Sequence, residues 1–170
     1  RLSARPVAGK GKDFPLEDVH FSYQDAEVIH GIDLEIKEGA MTALVGESGS
    51  GKSTLAKLLV HFYDLDSGHI TLGGQDITDM SLESLNDQIA FVSQEQFLFN
   101  TSIYENIRLG KPEASREEVL RAASLAQCDE FLARFPAGID ARAGDGGKML
   151  SGGERQRISL ARALLKNAPV

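Results

Sequence analysis

The chain has a single cysteine, Cys128, among its 170 residues, so no disulfide can form within it. That excludes the small disulfide-stapled secreted folds and fits a reducing compartment, with Cys128 read as an ordinary helix residue. No uninterrupted apolar run approaches the roughly 18 residues a spanning helix needs, and the first residues lack the pattern of a secretory signal, so these residues are expected to form a soluble domain. Basic residues are in deficit: 18 Lys and Arg against 25 Asp and Glu leave a net charge of −7. The balance argues against a partner recognised through nucleic acid backbone, and no nucleic acid is expected. It leaves anionic ligands open, because a phosphate site depends on a few local amides and one or two cations rather than on total charge. His20, His30, His61 and His69 lack the spacing of a metal site. Asp64, Asp66 and Gly68 lack the remaining ligands of a calcium loop and read as a turn. There is no internal repeat and no low-complexity segment.

What is present is the material of about one domain, and a chain of this size buries roughly 70% of its unfolded surface. Residues 1–13, with Arg5-Pro6 and Gly9-Lys10-Gly11-Lys12 and little apolar patterning, read as a linker that precedes a domain over residues 14–170. In residues 32–37, Ile32, Leu34 and Ile36 alternate with Asp33, Glu35 and Lys37, the period of a half-buried strand. Residues 41–46, "MTALVG", form a short continuous apolar run, as expected of a strand covered on both faces. From Ser53 the period turns helical, with Leu55, Leu58, Leu59 and Phe62 on one side, and "HITLGG" after Asp66-Ser67-Gly68 supplies another strand. Ser115 with Glu118, and Ser151 with Glu154, match the capping box that opens a helix. Residues 102–135 are predicted mostly helical. The organisation is a strand-rich first part, one strand-loop-helix unit, and a helical second half.

The sharpest pattern lies in the strand-loop-helix unit. "GESGSGKST", from Gly46, Glu47, Ser48, Gly49 and Ser50 through Gly51, Lys52, Ser53 and Thr54, fits G-x-x-x-x-G-K-[ST]. Phosphates suit this arrangement because glycines let backbone amides turn inward, the following helix adds about half a positive charge, and Lys52 can reach the β and γ phosphates. Ser53 is placed to ligate Mg²⁺, and Glu47 reads as solvent-facing. By chance the pattern would occur in roughly one chain of this length in a hundred. The N-K-x-D loop expected of guanine-specific enzymes is missing.

A second glycine-led helix start follows far downstream. In "LSGGERQR" the residues Ser151, Gly152 and Gly153 precede a helix carrying Ile158, Leu160, Ala161, Leu164 and Leu165, so their amides form a second anion site. The plainer alternative is that Ser151 only caps its helix and that Arg155 and Arg157 are solvated.

"LSGGERQR" resembles the signature of ATP-binding cassette (ABC) ATPases, at the distance from the P-loop that the family shows, and the resemblance covers nearly the whole chain. It implies an α/β fold: a P-loop NTPase core with an antiparallel β subdomain and an α-helical subdomain, incomplete at the C-terminus. It implies ATP and Mg²⁺ as ligands, with Tyr23 of "FSY" stacking on adenine, an interaction of roughly 1–3 kcal/mol, and Gln94 of "FVSQEQFLF" touching Mg²⁺ and the attacking water. Leu150, Ser151, Gly152, Gly153, Glu154 and Gln156 would close over the nucleotide of a second nucleotide-binding domain in a head-to-tail dimer. "SQEQFLFNTSIYENI" and "GDGG" resemble the exporter-type branch, whose membrane helices and ATPase share one polypeptide, at the cytoplasmic face of the membrane. That branch usually has Glu where this chain has Asp145. The Walker B Asp-Glu, the D-loop and the switch His are not found up to Val170, so the catalytic Glu is expected beyond it and the chain alone is expected to hydrolyse little ATP. The alternatives are a nucleotide-binding module without turnover and a soluble ABC ATPase outside transport; the latter is disfavoured by the acidic balance and the exporter-like residues after Gln94.

Overall fold

In the first strand the apolar residues alternate, then slip by one. Phe14 and Leu16 are buried, Glu17 and Asp18 are both exposed, and Val19 and Phe21 are buried again. A one-residue slip would send the second pair to the opposite face of a regular strand. A bulge absorbs it: Asp18 takes a left-handed conformation, φ 47°, and the pairing register shifts between Leu16 and Val19.

The computed structural model describes residues 11–94 and 96–170; the linker read in residues 1–10 lies outside them. Strand β1 (Phe14–Tyr23) turns through Gln24 and Asp25 into the antiparallel β2 (Ala26–Ile36). On its other edge β1 pairs with β3 (Ser67–Leu72), which returns through Gly73 and Gly74 into β4 (Gln75–Asp76). Both glycines have positive φ, 57° and 80°, as a two-residue type I′ hairpin needs. The sheet order is β2-β1-β3-β4. Helix α1 (Lys52–Leu59) contributes Leu55 and Leu58 to its core, and α2 (Leu82–Gln88) contributes Leu85, beside Phe14, Leu16, Ile29, Ile70, Leu72, Ile77 and Met80.

The chain divides into two compact units, one of residues up to Ile89 with Pro169–Val170 and one of Ala90–Ala168. The second is helical: α3 (Ile103–Arg108), α4 (Arg116–Leu125), α5 (Asp129–Leu132) and α6 (Gly152–Lys166). Ile103, Ile107, Val119, Ala123, Phe131, Ile158 and Ala161 meet in its core. Ser102, Ser115 and Ser151 cap three of these helices. Asn106, fully buried, is satisfied by the Phe99 N–H at 2.9 Å and by the Phe99 and Ser102 carbonyls, each at 3.0 Å. A Cβ on Gly110 would stand 2.2 Å from the Arg162 carbonyl, so the chain after α3 passes against α6 where only glycine fits.

Several sequence-based expectations need correction. Residues 41–46 form no strand: Met41 is 99% and Val45 94% exposed, and no strand among the described residues forms a ladder with this backbone. An apolar run expresses a tendency to be covered, but a strand exists only where a neighbour completes its ladder. Helix α1 ends at Leu59, so Phe62, expected on its apolar side, lies beyond it and is 66% exposed. The strand read in "HITLGG" starts earlier, at Ser67, and ends at Leu72 because both glycines belong to the turn. Cys128 is the N-cap residue of α5 rather than part of a helix, and burial pushes its thiol up to about 11. The two capping boxes stand as expected.

Gly68 (φ +87°) lies so close to β1 that a Cβ would meet the Asp18 carbonyl oxygen at 2.2 Å, whereas Gly74 (φ +80°) faces open space. Gly68→Ala is expected to lower stability by about 3 kcal/mol and Gly74→Ala by about 1 kcal/mol, a difference that denaturant unfolding will resolve. In α4 the Lys111 ammonium, and then the Ser115 N–H, hold the Glu118 carboxyl down to about 2. Its stabilising contribution is therefore complete above the ordinary carboxylate range and disappears as the pH falls toward 2. Glu118→Gln should flatten that acid limb of the stability profile in thermal melts.

Candidate functional site

The loop before α1 is built by glycines in conformations other residues avoid. Gly49 has φ 83° and Gly51 φ 90°, and a Cβ on Gly51 would come 2.8 Å from Ile29 Cδ1. Gly51 is the N-cap residue and offers no side-chain acceptor, so the first-turn amides of α1 are left without a capping group. Lys52 folds back over the loop, donating to the carbonyls of Gly46 (2.7 Å) and Glu47 (2.5 Å) and to Ser50 Oγ (3.1 Å). The Ser50 N–H closes the loop on the Glu47 carbonyl at 3.2 Å. Glu47, Ser48 and Ser53 are exposed. The result is a glycine-rich loop closed by one ammonium at the uncapped start of a helix, a donor set that suits phosphate oxygens.

Tyr23 comes to this loop from the end of β1. Its hydroxyl is 3.3 Å from Thr54 Oγ1, and that bond chiefly holds the phenol below its ordinary value. The ring, 39% exposed, stands edge-on to Phe21 and to Tyr63, with centroids 4.9 and 5.4 Å away. Tyr63 is a part of the site that the sequence reading passed over; its position four residues past Leu59, where α1 ends, carries no signal of its own.

The second glycine-led helix start lies in the helical unit. Ser151 Oγ accepts the Glu154 N–H at 3.2 Å and Glu154 Oε2 accepts the Ser151 N–H at 3.0 Å. The Gly152 and Gly153 amides find no acceptor among the described residues, and both glycines are exposed. Leu150 anchors the turn in the core and Gln156 faces outward. The two arginines are not simply solvated. Arg155 donates to the Leu150 carbonyl at 2.8 Å, and Arg157 to the Gln127 carbonyl and the Glu130 carboxylate, each at 3.2 Å. A cleft of about 350 Å³ opens between Phe131, Arg134, Ser151, Gly153 and Arg157. Arg134, which pairs with Glu154, is a second residue that sequence spacing did not point to. Gln94 is exposed in a segment without helix or strand, and Asp145, in a short 3₁₀ turn, pairs with Lys148 at 3.5 Å.

Among the described residues no helix is long and apolar enough to cross a membrane, and no group of three or more His, Cys, Asp or Glu could hold a metal. Asp64 instead pairs with His61 at 2.9 Å.

A glycine loop with an uncapped helix behind it defines a P-loop nucleotide-binding protein, and comparison with known proteins narrows the class. The "ABC transporter" family model matches residues 29–170. The chain is 47% identical over 159 residues to an ATP-dependent lipid A-core flippase of Legionella pneumophila (strain Paris), covering 93% of this chain and 27% of that protein. It is 46% identical over 156 residues to a putative multidrug export ATP-binding/permease protein, YgaD, of Bacillus subtilis, covering 91% and 27%. A solved bacterial Atm1-family ABC exporter with ATP bound superposes with a TM-score of 0.92 at 42% identity, over 97% of this chain and 29% of that one. The chain belongs to the ABC transporter family and has the fold of its ATP-binding domain, with the antiparallel sheet and the helices that fold entails. It spans about a quarter of the length of these relatives.

Because the capping box holds the start of α6, Ser151→Ala should cost about 1 kcal/mol of stability while Ser151→Asp retains most of it, as read by chemical unfolding.

Proposed function

We propose that residues 14–170 are the nucleotide-gripping part of an export-type ABC transporter, and that their ligand is Mg-ATP. The observation that carries this reading is the pairing, in one chain, of two glycine-led helix starts with uncommitted amides, at α1 and at α6. Gly46, Glu47, Ser48, Gly49, Ser50 and Gly51 would surround the phosphates with backbone amides, Lys52 would exchange its loop carbonyls for phosphate oxygens, and Thr54 would hold Tyr23 against the adenine. Ser53 and Gln94 are the side chains assigned to Mg²⁺, which, when bound with ATP, neutralises phosphate charge.

The turn Leu150, Ser151, Gly152, Gly153, Glu154 and Gln156 is assigned to the γ-phosphate of a second nucleotide-binding domain, the same or a related chain, in a head-to-tail dimer, with Leu150 and Glu154 holding the turn rather than touching the phosphate. The names of the relatives, a lipid flippase and a multidrug export protein, support a membrane domain as the second partner and a position at the cytoplasmic face of a membrane. The residues of this chain grip and orient. Most of the hydrolytic rate is assigned to water-orienting carboxylates outside the 170 residues, since phosphoryl transfer depends on positioning the attacking water as well as on binding the phosphates.

The test is titration of the purified polypeptide with Mg-ATP alongside steady-state hydrolysis. Tight binding is expected with little turnover. Tyr23→Ala should weaken binding about tenfold through the lost stacking face, and Lys52→Ala by at least about tenfold through the lost charge. Binding that Lys52→Ala leaves unchanged would overturn the reading. Turnover that disappears in Lys52→Ala would show that a catalytic carboxylate lies within the chain.

A further inference from the structure

The start of α6 carries an electrostatic conflict. A carboxylate in the first turn of a helix stabilises that helix, but it also sets a negative charge beside amides that are to receive a phosphate. Glu154 is such a carboxylate, three residues after Ser151. Its side chain is only 15% exposed and both its oxygens are engaged, Oε2 with the Ser151 N–H and Oε1 with the Arg134 guanidinium. Arg134 reaches it from the segment after α5, with its guanidinium 6.0 Å from the centroid of the Phe135 ring.

Four charged side chains line the cleft at this helix start: Glu130, Arg134, Glu154 and Arg157. They form two pairs, Arg157 with Glu130 at 3.2 Å and Arg134 with Glu154. Arg157 is committed to its own carboxylate and to the Gln127 carbonyl. Arg134 is therefore the cation that balances Glu154, and without it the cleft lined by Ser151 and Gly153 carries one net negative charge.

We propose that Arg134 is a positioning residue for the α6 phosphate site: it neutralises Glu154 and holds that carboxylate in the capping box, so that the glycine amides present a net attractive field to an incoming phosphate. The proposal rests on the assignment of Ser151 to Gln156 to a partner's nucleotide. It predicts that the need for Arg134 exists only because residue 154 is acidic.

The experiment is a double-mutant cycle in the full natural polypeptide that carries these residues, reading Lys52-dependent Mg-ATP hydrolysis as a function of ATP concentration. Arg134→Ala is expected to lower kcat/KM about fivefold, the effect of one uncompensated charge at a helix start. Arg134→Lys, which keeps the charge, should retain most of the activity. The same Arg134→Ala change made on top of Glu154→Gln should cost no more than about twofold, because a neutral amide can still accept the Ser151 N–H and leaves no charge to balance. Equal losses in the two backgrounds would reduce Arg134 to a packing role and overturn the proposal, as would no loss in either. Absence of any Lys52-dependent hydrolysis in the unaltered polypeptide would instead overturn the nucleotide reading itself, and the proposal with it.

Discussion

The first turn of an α-helix has backbone N–H groups with no partner inside the helix, and this chain depends on how two such turns are finished. At α6 one donor is taken by Ser151 Oγ and the preceding Ser151 N–H by Glu154, which fixes the turn while leaving the two glycine amides uncommitted. At α1 the N-cap residue is Gly51, which caps nothing, and the nearby loop is held instead by the Lys52 ammonium on its carbonyls. One helix start is stabilised by its own side chains and the other is left open for a ligand to complete. A residue that capped α1 as Ser151 caps α6 would stabilise the helix and take up donors that the proposed function reserves for phosphates.

The remainder of each unit serves to hold these turns still. In the sheet unit Ile29 packs where a Cβ on Gly51 would stand, so the left-handed N-cap is dictated by β2 as well as by the loop. The bulge at Asp18 allows the two apolar pairs of β1 to share a face and carries the strand on to Tyr23, beside Thr54. In the helical unit, Arg155 ties the Leu150 carbonyl to the first turn of α6, and Leu150 sits in the core. The core fixes the turn, and the turn aims the amides.

The two sites also differ in charge. The first has an ammonium, Lys52, held on neutral oxygens of its own loop rather than on a carboxylate. The second has no unpaired cation among the described residues and relies on amide dipoles, so its field is sensitive to any carboxylate left unbalanced nearby. Under the proposed function, that asymmetry would give a grip on one nucleotide by strong charge and a weaker contact with another.

The glycine-lysine run, the serine-glycine-glycine run and both capping boxes were legible in the sequence, because each is a local device in which residues a few positions apart satisfy or free one another's backbone groups. The alternation that marks β2 and the helical repeats of α1 and α6 were legible for the same reason. Residues 41–46 were misread because their apolar character says nothing about whether a neighbouring strand is there to pair with them. Tyr63 beside Tyr23, the bulge at Asp18 and the Arg134–Glu154 pair join residues far apart in the chain or depend on backbone conformations that no local pattern encodes. The sequence by itself determined which helix starts are led by glycine and which carry a capping box, since that follows from residue type and spacing. Only the tertiary structure decided which rings and charges stand around those turns, because the packing of separate elements sets those distances.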